Sequence, residues 1–586
     1  MWTRLEFATA APPGPSMDRA DVALFVGAVT RRRVGEGVQA SPTPLPASLL
    51  KWWDEAQGWW ERERRPGQPR HDRNHLLNLP VPLTGWSEFE SLFVVDRPVL
   101  GAAGLRVACP LAAAVRAFFA GGGRRCYVVR TGDALPYADE ARARFEDNVL
   151  LKSTPLPLPA VPGGAPLLET TEVHADRAAA RVSLLPGLRG AASAVVSDST
   201  LTANHWAEWQ GVQWVYGLPD VSMLLVPDLP EAFAVPPVEP PREVRSGTPL
   251  EAFSPCVAAP DEPQTTRLRL LAAPALDEVG FKAWRVATAH ALALLTGASP
   301  AAQRRDVQLI AALPLPIDEI ASTLSLLPRV DASAKVEDWL APLLSVPADG
   351  DDYEGGDLRH HQLQLTWPWL LTQRSDDLPQ LIEPPDGAFA GALAAQTLRA
   401  GAFRSVALTQ AVGVIDTLPA WTEHDGQHEL LLSGELKPRA VHDFLTLCLP
   451  RRSGTRGSFE WVSDRTTAQD PVMRIGAVRR LIAQVMRHAR RVGDDFVHEP
   501  SNEATWFRVS AALNALGERI KRAGAVDDAA GDGWQVICDR RSMLQADIDA
   551  GRLIAQINLR PALPIDRIVV TLTLRDGGAS AMSEAA

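Results

Sequence analysis

Three glycines at 121–123 and two arginines at 124–125 are the first residues of the chain whose types and spacing could do chemistry. Glycines that let backbone amides approach an anion, next to cationic side chains, could hold the phosphates of a nucleotide. Such a loop follows a strand and opens a helix, because amides at a helix N-terminus point at the anion. Here the helical run 111–120 precedes the glycines and the strand-like run RCYVVR (125–130) follows them. A helix C-terminus repels phosphate, so the sequence predicts a helix stop and a turn.

Histidine pairs are the next residues that could do chemistry. His360 and His361 are adjacent, so on a strand they point to opposite faces and make a poor metal pair. His424 and His428 have the spacing of one helix face, but the Asp-Gly turn signal between them favours a solvated loop. No G-x-S-x-G or H-E-x-x-H motif is present in the sequence. We therefore expect no enzyme activity, no metal site and no cofactor.

Composition is typical of a globular protein with more than one folding unit. The chain has 586 residues, and single cores rarely grow past roughly 250–300 residues. Hydrophobic residues make up 46% of it and charged residues 22%. The formal net charge of -11 argues against a general nucleic-acid coat. Five cysteines are spread singly, which is typical of reduced thiols in the cytosol.

We expect neither a secretion signal nor a membrane span. The first residues, MWTRLEFATAAPPGPSMDRAD, contain acids and prolines and lack a continuous apolar region. No apolar run reaches the roughly 18 residues that a spanning helix needs. If the protein leaves the cell, it must leave by another route.

The elements that would position these residues begin with a strand at 21–29, where apolar residues occupy both faces. Two tryptophan pairs in the charged run 50–66 predict an amphipathic helix that docks its indoles on the body. Ser87 and Glu90 have the spacing of a capping box, with aromatic residues behind them.

In the middle of the chain, strand 221–228, helix 281–297 and strand 306–316 predict an α/β unit with a parallel sheet. Short alternating runs between 131 and 215, such as ARVSLLP, indicate a smaller β-containing insert. The prolines of 229–265 predict a loop or linker.

The last third is the most regular. Apolar residues recur at alternating intervals of three and four residues in 472–492 and in 501–523. This spacing predicts two amphipathic helices, and the second should end at Gly524. Three strand-like runs follow, at 534–539, 552–559 and 566–574.

Two features indicate surfaces for partners. The first is a basic face on helix 472–492, formed by Arg474, Arg479, Arg480, Arg487, Arg490 and Arg491. It suits an anionic partner, although an ordinary exposed helix would carry such arginines too. The second is a strand-like segment near each chain end, with Val22, Leu24, Phe25 and Val26 in one and Ile568, Val570, Leu572 and Leu574 in the other. Terminal strands can complete a neighbour's sheet, or they can pair within their own chain.

Taken in order, these motifs resemble the contractile tail sheath protein family. The segments that carry the resemblance are WSEFESLF, AVRAFFAGGGRRCYVVR, GLPDVSMLLVPD, DVQLIAALPLP, LQLTWPWLL, EPPDGAFAGALAAQTLRAGAFRSVA, AVRRLIAQVMRHARR, EPSNEATWFRV and the closing WQVICD to IVVTLTL. The resemblance covers most of 21–130 and 205–586. Segment 413–470 departs from the pattern, because the family's G-x-R-T-L is reduced to SDRTT (463–467).

The resemblance implies an α/β and α+β multidomain protein. We expect an inner α+β assembly domain built from both ends of the chain, an α/β middle domain with a parallel sheet, and a smaller β-containing insertion. The expected boundaries are a flexible arm at 1–20, the first part of the inner domain at 21–130, the inserted outer domain at 131–205, the α/β domain at 206–412 with its Pro-rich insertion, and the C-terminal domain with a terminal strand arm at 413–586.

The resemblance also implies a structural role. Sheath subunits stack as hexameric rings around an inner tube, between baseplate and cap, and contract to drive the tube through a target envelope. The implied partners are the chain itself, the inner tube protein and the baseplate and cap proteins, with no nucleic acid, no membrane insertion and no cofactor. The particle would assemble in the bacterial cytoplasm and belong to a phage tail or a released phage-tail-like particle.

In this interpretation, the segments 21–29 and 566–574 are arms that exchange strands with neighbouring subunits. The candidate tube-facing residues are basic: Arg479, Arg480, Arg487, Arg491, Arg519, Lys521 and Arg522. One alternative is another component of the same machine, such as a cap- or baseplate-proximal sheath variant. A second is an α/β enzyme of hydrolase or nucleotide-binding type, although we find no motif for it at the end of a predicted strand.

Overall fold

In the computed structural model of the chain, the described residues are 19–34, 41–56, 73–99, 104–137, 181, 183–186, 209–234, 264–271, 273–296, 304–317, 340, 344, 358–431, 437–451, 458–496, 499–528, 531, 533–549, 552–562, 569–575 and 578–584. They belong to two compact units, an N-terminal unit (Met1–Gly476) and a C-terminal unit (Ala477–Ala586).

A nine-stranded mixed sheet forms the centre of the N-terminal unit. Its strands are β1 (Ala23–Ala28), β5 (Pro80–Leu83), β9 (Cys126–Gly132), β10 (Met223–Leu225), β12 (Gln308–Ala312), β14 (Leu363–Trp367), β16 (Thr409–Gln410), β20 (Leu445–Pro450) and β21 (Phe459–Trp461). The spatial order is β16-β21-β20-β14-β12-β10-β1-β9-β5. The six strands from β20 to β9 run parallel, and the strands outside them are antiparallel. The parallel strands are apolar along most of their length because both faces of the sheet are covered.

Shorter strands form two-stranded pairs around this sheet. They are β2 (Thr30–Arg31) with β6 (Phe93–Val94), β3 (Arg33–Val34) with β4 (Ser41–Pro42), β7 (Asp96–Pro98) with β8 (Arg106–Ala108), β11 (Ala275–Leu276) with β13 (Leu315–Pro316), β15 (Trp369–Thr372) with β17 (Val414–Leu418), and β18 (Glu429–Leu430) with β19 (Arg439–Ala440). The helices of this unit are α1 (Ala47–Ala56), α2 (Trp86–Leu92), α3 (Pro110–Ala120), α4 (Leu229–Ala232), α5 (Gln264–Leu270), α6 (Glu278–Thr296), α7 (Pro385–Ala400) and α8 (Glu423–Gly426).

The predicted strand–helix–strand unit is present, because β10 and β12 are parallel neighbours and α6 lies between them in sequence. The first part of the predicted tryptophan helix is α1, whereas Trp59 and Trp60 lie outside the described residues. Trp53 is fully buried, and its Nε1 donates a hydrogen bond to the Pro80 carbonyl at 3.0 Å. The Trp52 ring lies beside the Tyr127 ring, with 5.6 Å between the ring centroids. The mixed α/β class expected from the sequence is therefore confirmed.

The glycines at 121–123 end α3 as predicted. Gly122 has φ +103°, which a residue with a side chain rarely adopts. Gly121 also lies against Gly391 of α7, since a Cβ added at Gly121 would stand 3.0 Å from the Gly391 Cα. These glycines therefore make the turn and permit close contact between two helices.

The C-terminal unit contains α9 (Gly476–Asp495, beginning at the last residue of the N-terminal unit), α10 (Glu503–Arg522) and α11 (Gln545–Asp549). Its strands form two ribbons, β22 (Trp534–Ile537) with β23 (Gln556–Leu559), and β24 (Val569–Arg575) with β25 (Gly578–Glu584). The Asn502 side chain caps α10 by accepting a hydrogen bond from the Thr505 amide at 3.0 Å. Gly524 follows the helix with φ +72°, as expected of a helix stop. The core of this unit is lined by Val492, Trp506, Val509, Leu513, Cys538 and Met543.

The sheet groups the chain differently from the expected boundaries. Strands from 21–130, from 206–412 and from the first part of 413–586 share the one nine-stranded sheet, and the division into compact units falls after Gly476. Parallel strands must lie side by side to share hydrogen bonds, so segments distant in sequence belong to one sheet. The expected insert 131–205 and the Pro-rich segment 229–265 lie largely outside the described residues.

Two local expectations were wrong. The run ARVSLLP is helical, not extended, at its described positions 181, 183 and 184. Ser87 does not cap α2, because Gly85 occupies the cap position and Ser87 lies inside the helix. The Glu88 carboxylate accepts a hydrogen bond from the Thr84 amide at 2.6 Å instead.

Candidate assembly surfaces

The N-terminal strand β1 is not a free arm. Val22, Leu24, Phe25 and Val26 are fully buried. Parallel partners flank β1 on both sides, with Leu24 opposite Tyr127 on β9 and opposite Leu224 on β10. The assignment of 21–29 to an exchanged arm is therefore wrong for this chain. Apolar residues on both faces of a strand are typical of the centre of a sheet, and that is where β1 lies.

The C-terminal segment is a hairpin. β24 and β25 pair in register from Val569 opposite Glu584 to Arg575 opposite Gly578. Val570, Leu572 and Leu574 lie on β24, whereas Ile568 lies outside the described residues. Among the described residues, the hairpin pairs with no other strand. Its use as an arm therefore remains a proposal.

Strand β25 was missed in the sequence because GASAMSE is low in β-branched and aromatic residues. A signal for it exists in the sequence. In the sequence, Asp576 and Gly577 stand between the runs that form β24 and β25, and Asp-Gly at such a position favours a tight hairpin turn.

The β22–β23 ribbon offers further open edges. Each strand has one neighbour among the described residues. Residues 552–560 alternate between exposed and half-buried positions, and Leu553, Ala555 and Ile557 pack on the core of the C-terminal unit. A strand with one packed face and an unpaired edge can accept a strand from another chain.

The basic face of α9 is largely covered. Arg479, Arg480 and Arg487 are buried, with exposed fractions of 2%, 5% and 1%. They cannot serve as an exposed tube-facing surface in this chain, which corrects the expectation. A helical pattern shows which side chains share a face of the helix. It does not show which face is buried against the rest of the protein. Arg490 and Arg491, at the far end of α9, are exposed.

The basic end of α10 is better placed for a partner. Arg519 and Arg522 are exposed. Lys521 is half-buried and forms ion pairs with Asp528 at 3.2 Å and with Glu518 at 3.8 Å, so its charge is balanced locally. Of the candidate tube-facing residues, Arg491, Arg519 and Arg522 thus present cations at the surface.

His424 and His428, the pair with the spacing of one helix face, are both exposed. His424 lies in the four-residue helix α8 and His428 follows it. Among the described residues, no group of three or more His, Cys, Asp or Glu side chains could hold a metal ion. None of the described helices combines the length and the apolar character that crossing a membrane requires.

A buried polar site escaped the sequence motifs. At the carboxyl ends of β1 and β10, a cavity of about 60 Å³ is lined by Ala28, Arg97, Cys109, Ala134, Asp228 and Glu231, among others. These side chains come from β1, β7, α4, a loop and the residues that precede α3 and α4, so no single motif contains them. The Pro-Asp pair that ends the run VSMLLVPD was the available signal.

No family model matches the chain, and no curated protein matches it significantly. Solved structures do match. A chain of the anti-feeding prophage baseplate is 16% identical with a TM-score of 0.47, covering 98% of this chain and 98% of that one. The contracted helical sheath of the anti-feeding prophage gives 16% identity, a TM-score of 0.45 and coverage of 98% of both chains. The contracted sheath complex of PVC, an extracellular contractile injection system, is 14% identical with a TM-score of 0.44. This match covers 98% of this chain and 97% of that one.

Each of these structures is described as part of a contractile particle or injection system.

Proposed function

We propose that the chain is the sheath subunit of a contractile, phage-tail-like machine. In this role it polymerises as stacked hexameric rings around an inner tube and contracts to drive the tube through a target envelope. Its partners are further copies of itself, the inner tube protein and the baseplate and cap proteins. Assembly takes place in the bacterial cytoplasm, and the subunit becomes part of the particle.

The observation that carries the proposal is the pair of β ribbons in the C-terminal unit. Among the described residues, β22–β23 and β24–β25 are separate two-stranded sheets. The β22–β23 ribbon packs on the core of its own unit, whereas a hairpin that packs on nothing else is marginally stable in water and is stabilised by additional strands. The terminal hairpin of one subunit can supply strands to the β22–β23 ribbon of a neighbour, since main-chain hydrogen bonds do not depend on which chain provides the strand.

Such connections would keep subunits linked while their other contacts change. Contraction then needs no nucleotide, because the extended assembly can be kinetically trapped and release its energy when it rearranges. The order of sheath-like motifs along the chain supports the same role. A cap- or baseplate-proximal sheath variant remains the alternative, and it would form single rings instead of stacked ones.

Removal of residues 563–586 tests the proposal. The deletion starts after Ala562, whose amide donates to the Ala525 carbonyl at 3.0 Å, and leaves β22 and β23 intact. We expect a folded, soluble subunit that forms no tubes in electron microscopy. A matched control exchanges Val570 and Leu572 for threonine, which keeps strand propensity and hairpin length. Tubes formed by the truncated chain would show that the hairpin is not an exchanged arm.

A further inference from the structure

The cavity at the carboxyl ends of β1 and β10 lies where the order of the parallel strands reverses. The chain passes from β1 to its neighbour β9 on one side, and it later enters β10 on the other side of β1. At such a point, adjacent loops leave the sheet in opposite directions and open a crevice in which α/β proteins bind ligands. This crevice is the cavity that Ala28, Arg97, Cys109, Asp228 and Glu231 line.

Asp228 is held in a fixed position with one oxygen unused. Its Oδ2 accepts a hydrogen bond from the Ala28 amide at 2.6 Å. A Cβ added at Gly27 would stand 2.8 Å from the same oxygen, so a glycine is needed for the carboxylate to approach β1. Asp228 is 9% exposed, and its Oδ1 is buried without a hydrogen-bond partner. An unpaired buried carboxylate oxygen costs free energy that a donor or a cation would recover.

The charges around the cavity do not balance. The Arg97 guanidinium is bound to Glu231, with Nη1 at 2.6 Å from Oε1, and Nη1 also donates to the Leu135 carbonyl at 3.0 Å. Arg97 is therefore committed to Glu231. Burial raises the pKa of the Cys109 thiol to about 12, which keeps it neutral. Asp228 forms no ion pair of its own, and burial raises its pKa to about 7, while the Ala28 amide, the charge of Arg97 and the nearby Leu111 amide act in the opposite direction.

We propose that this cavity binds a small monovalent cation of the ammonium type, ammonium itself or a short primary alkylammonium, with Asp228 Oδ1 as its anionic partner. The excess carboxylate repels anions. The described residues hold no group of three ligands of the kind that a divalent metal ion requires. A primary ammonium has three N–H donors and needs one carboxylate and neutral acceptors. A volume of about 60 Å³ suits an ion of this size with water. The site is independent of the proposed sheath role.

Equilibrium dialysis of the full chain with ¹⁴C-methylammonium at pH 8 tests this site, with tetramethylammonium chloride holding the ionic strength. We expect one saturable site per chain. Asp228→Asn should weaken binding at least tenfold, because its amide oxygen still accepts from Ala28 but carries no charge. The matched control is Asp386→Asn, since Asp386 is also buried with a pKa raised to about 7 but does not line the cavity. This control should bind like the wild type.

Three further measurements keep the outcome clear. Ala134→Leu fills the cavity without changing its charge and should also abolish binding, with circular dichroism checking that each variant is folded. Binding should weaken from pH 8 to pH 6, because protonation of Asp228 removes the anion. Ammonium chloride should displace the labelled methylammonium. The absence of saturable binding, or equal binding by the Asp228→Asn variant, would overturn the proposal.

Discussion

Gly387 of α7 lies against the backbone of Ala114 in α3, so closely that a Cβ added to the glycine would stand 2.5 Å from the Ala114 carbonyl oxygen. One turn further along α7, a Cβ at Gly391 would stand 2.4 Å from the Phe118 carbonyl oxygen. The two helices therefore pack backbone to backbone through a G-x-x-x-G pair. This contact links the segment that contains the three glycines with the segment EPPDGAFAG.

Replacing Gly391 with alanine should lower the free energy of unfolding by about 1–3 kcal/mol, because the methyl group has no space and the helices must move apart. Urea unfolding followed by circular dichroism measures the change. Gly493→Ala in α9 is the control, since nothing lies within 4 Å of its added Cβ. That variant should be stabilised by roughly 0.5–1 kcal/mol through helix propensity. Equal effects of the two substitutions would contradict the close helix contact.

Asp386 gives a prediction about pH. Burial raises the pKa of this carboxyl from 3.8 to about 7, although the Gly387 amide donates to it at 2.8 Å. Between these two values the folded state holds a proton that the unfolded state has lost, so stability should fall as pH rises from about 4 to 7. Asp386→Asn should remove part of this fall and be more stable than the wild type at pH 8.

The melting temperature at pH 5 and at pH 8 measures the effect. Asp416→Asn, an amide substitution on the exposed part of β17, serves as the control and should not reproduce the effect of Asp386→Asn. If the Asp386→Asn variant loses the same stability as the wild type between these pH values, the carboxyl does not titrate in this range.

Arg304 should matter more for stability than an exposed arginine. It is buried and pairs with Asp306 at 3.1 Å, and its guanidinium donates to the Leu218 and Val221 carbonyls at 2.9 Å. Arg304→Met leaves a buried carboxylate and several carbonyls without donors, which should cost about 3–5 kcal/mol. Arg508→Met breaks the exposed pair with Glu499 and should change stability by less than about 1 kcal/mol. Chemical denaturation of both variants gives the comparison.

Within the proposed function, the exposed cations of the C-terminal unit should affect tube attachment. Replacing Arg491, Arg519 and Arg522 with glutamate should reduce co-assembly with the inner tube protein and leave the melting temperature nearly unchanged, because all three are exposed. Co-sedimentation measures the attachment. The buried Arg487 is unsuitable for this test, since glutamate there would destabilise the subunit. Unchanged co-assembly of the triple variant would place the tube contact elsewhere.

The sequence predicted elements well where the local pattern decides the structure. α10 is an example: its apolar period and the Gly524 stop are local signals, and both are present. The Asn502 cap is a further local signal that the sequence contains but that we did not predict. The Ser87–Glu90 spacing failed because Gly85 begins α2 earlier than the pattern indicated. A cap depends on where the helix begins, and the tertiary packing of Phe89 and Leu92 contributes to that choice.

The candidate surfaces were harder to predict because exposure depends on contacts between distant segments. The apolar residues of β1 indicate a strand, but the partners that make it central come from around 126 and 223. The arginines of α9 form a basic face in projection, yet three of them are buried. Likewise, the cavity beside Asp228 joins residues from 28, 97, 109 and 231, which no local motif could bring together.

Electron microscopy of the purified full-length chain tests the central claim most directly. The chain should assemble into rings that stack as ribbed tubes, and helical reconstruction of those tubes should show the 569–584 hairpin of one subunit paired with the β22–β23 ribbon of another. A monodisperse monomer at concentrations where sheath proteins polymerise would contradict the account. Tubes in which each hairpin pairs with the β22–β23 ribbon of its own subunit would contradict it as well.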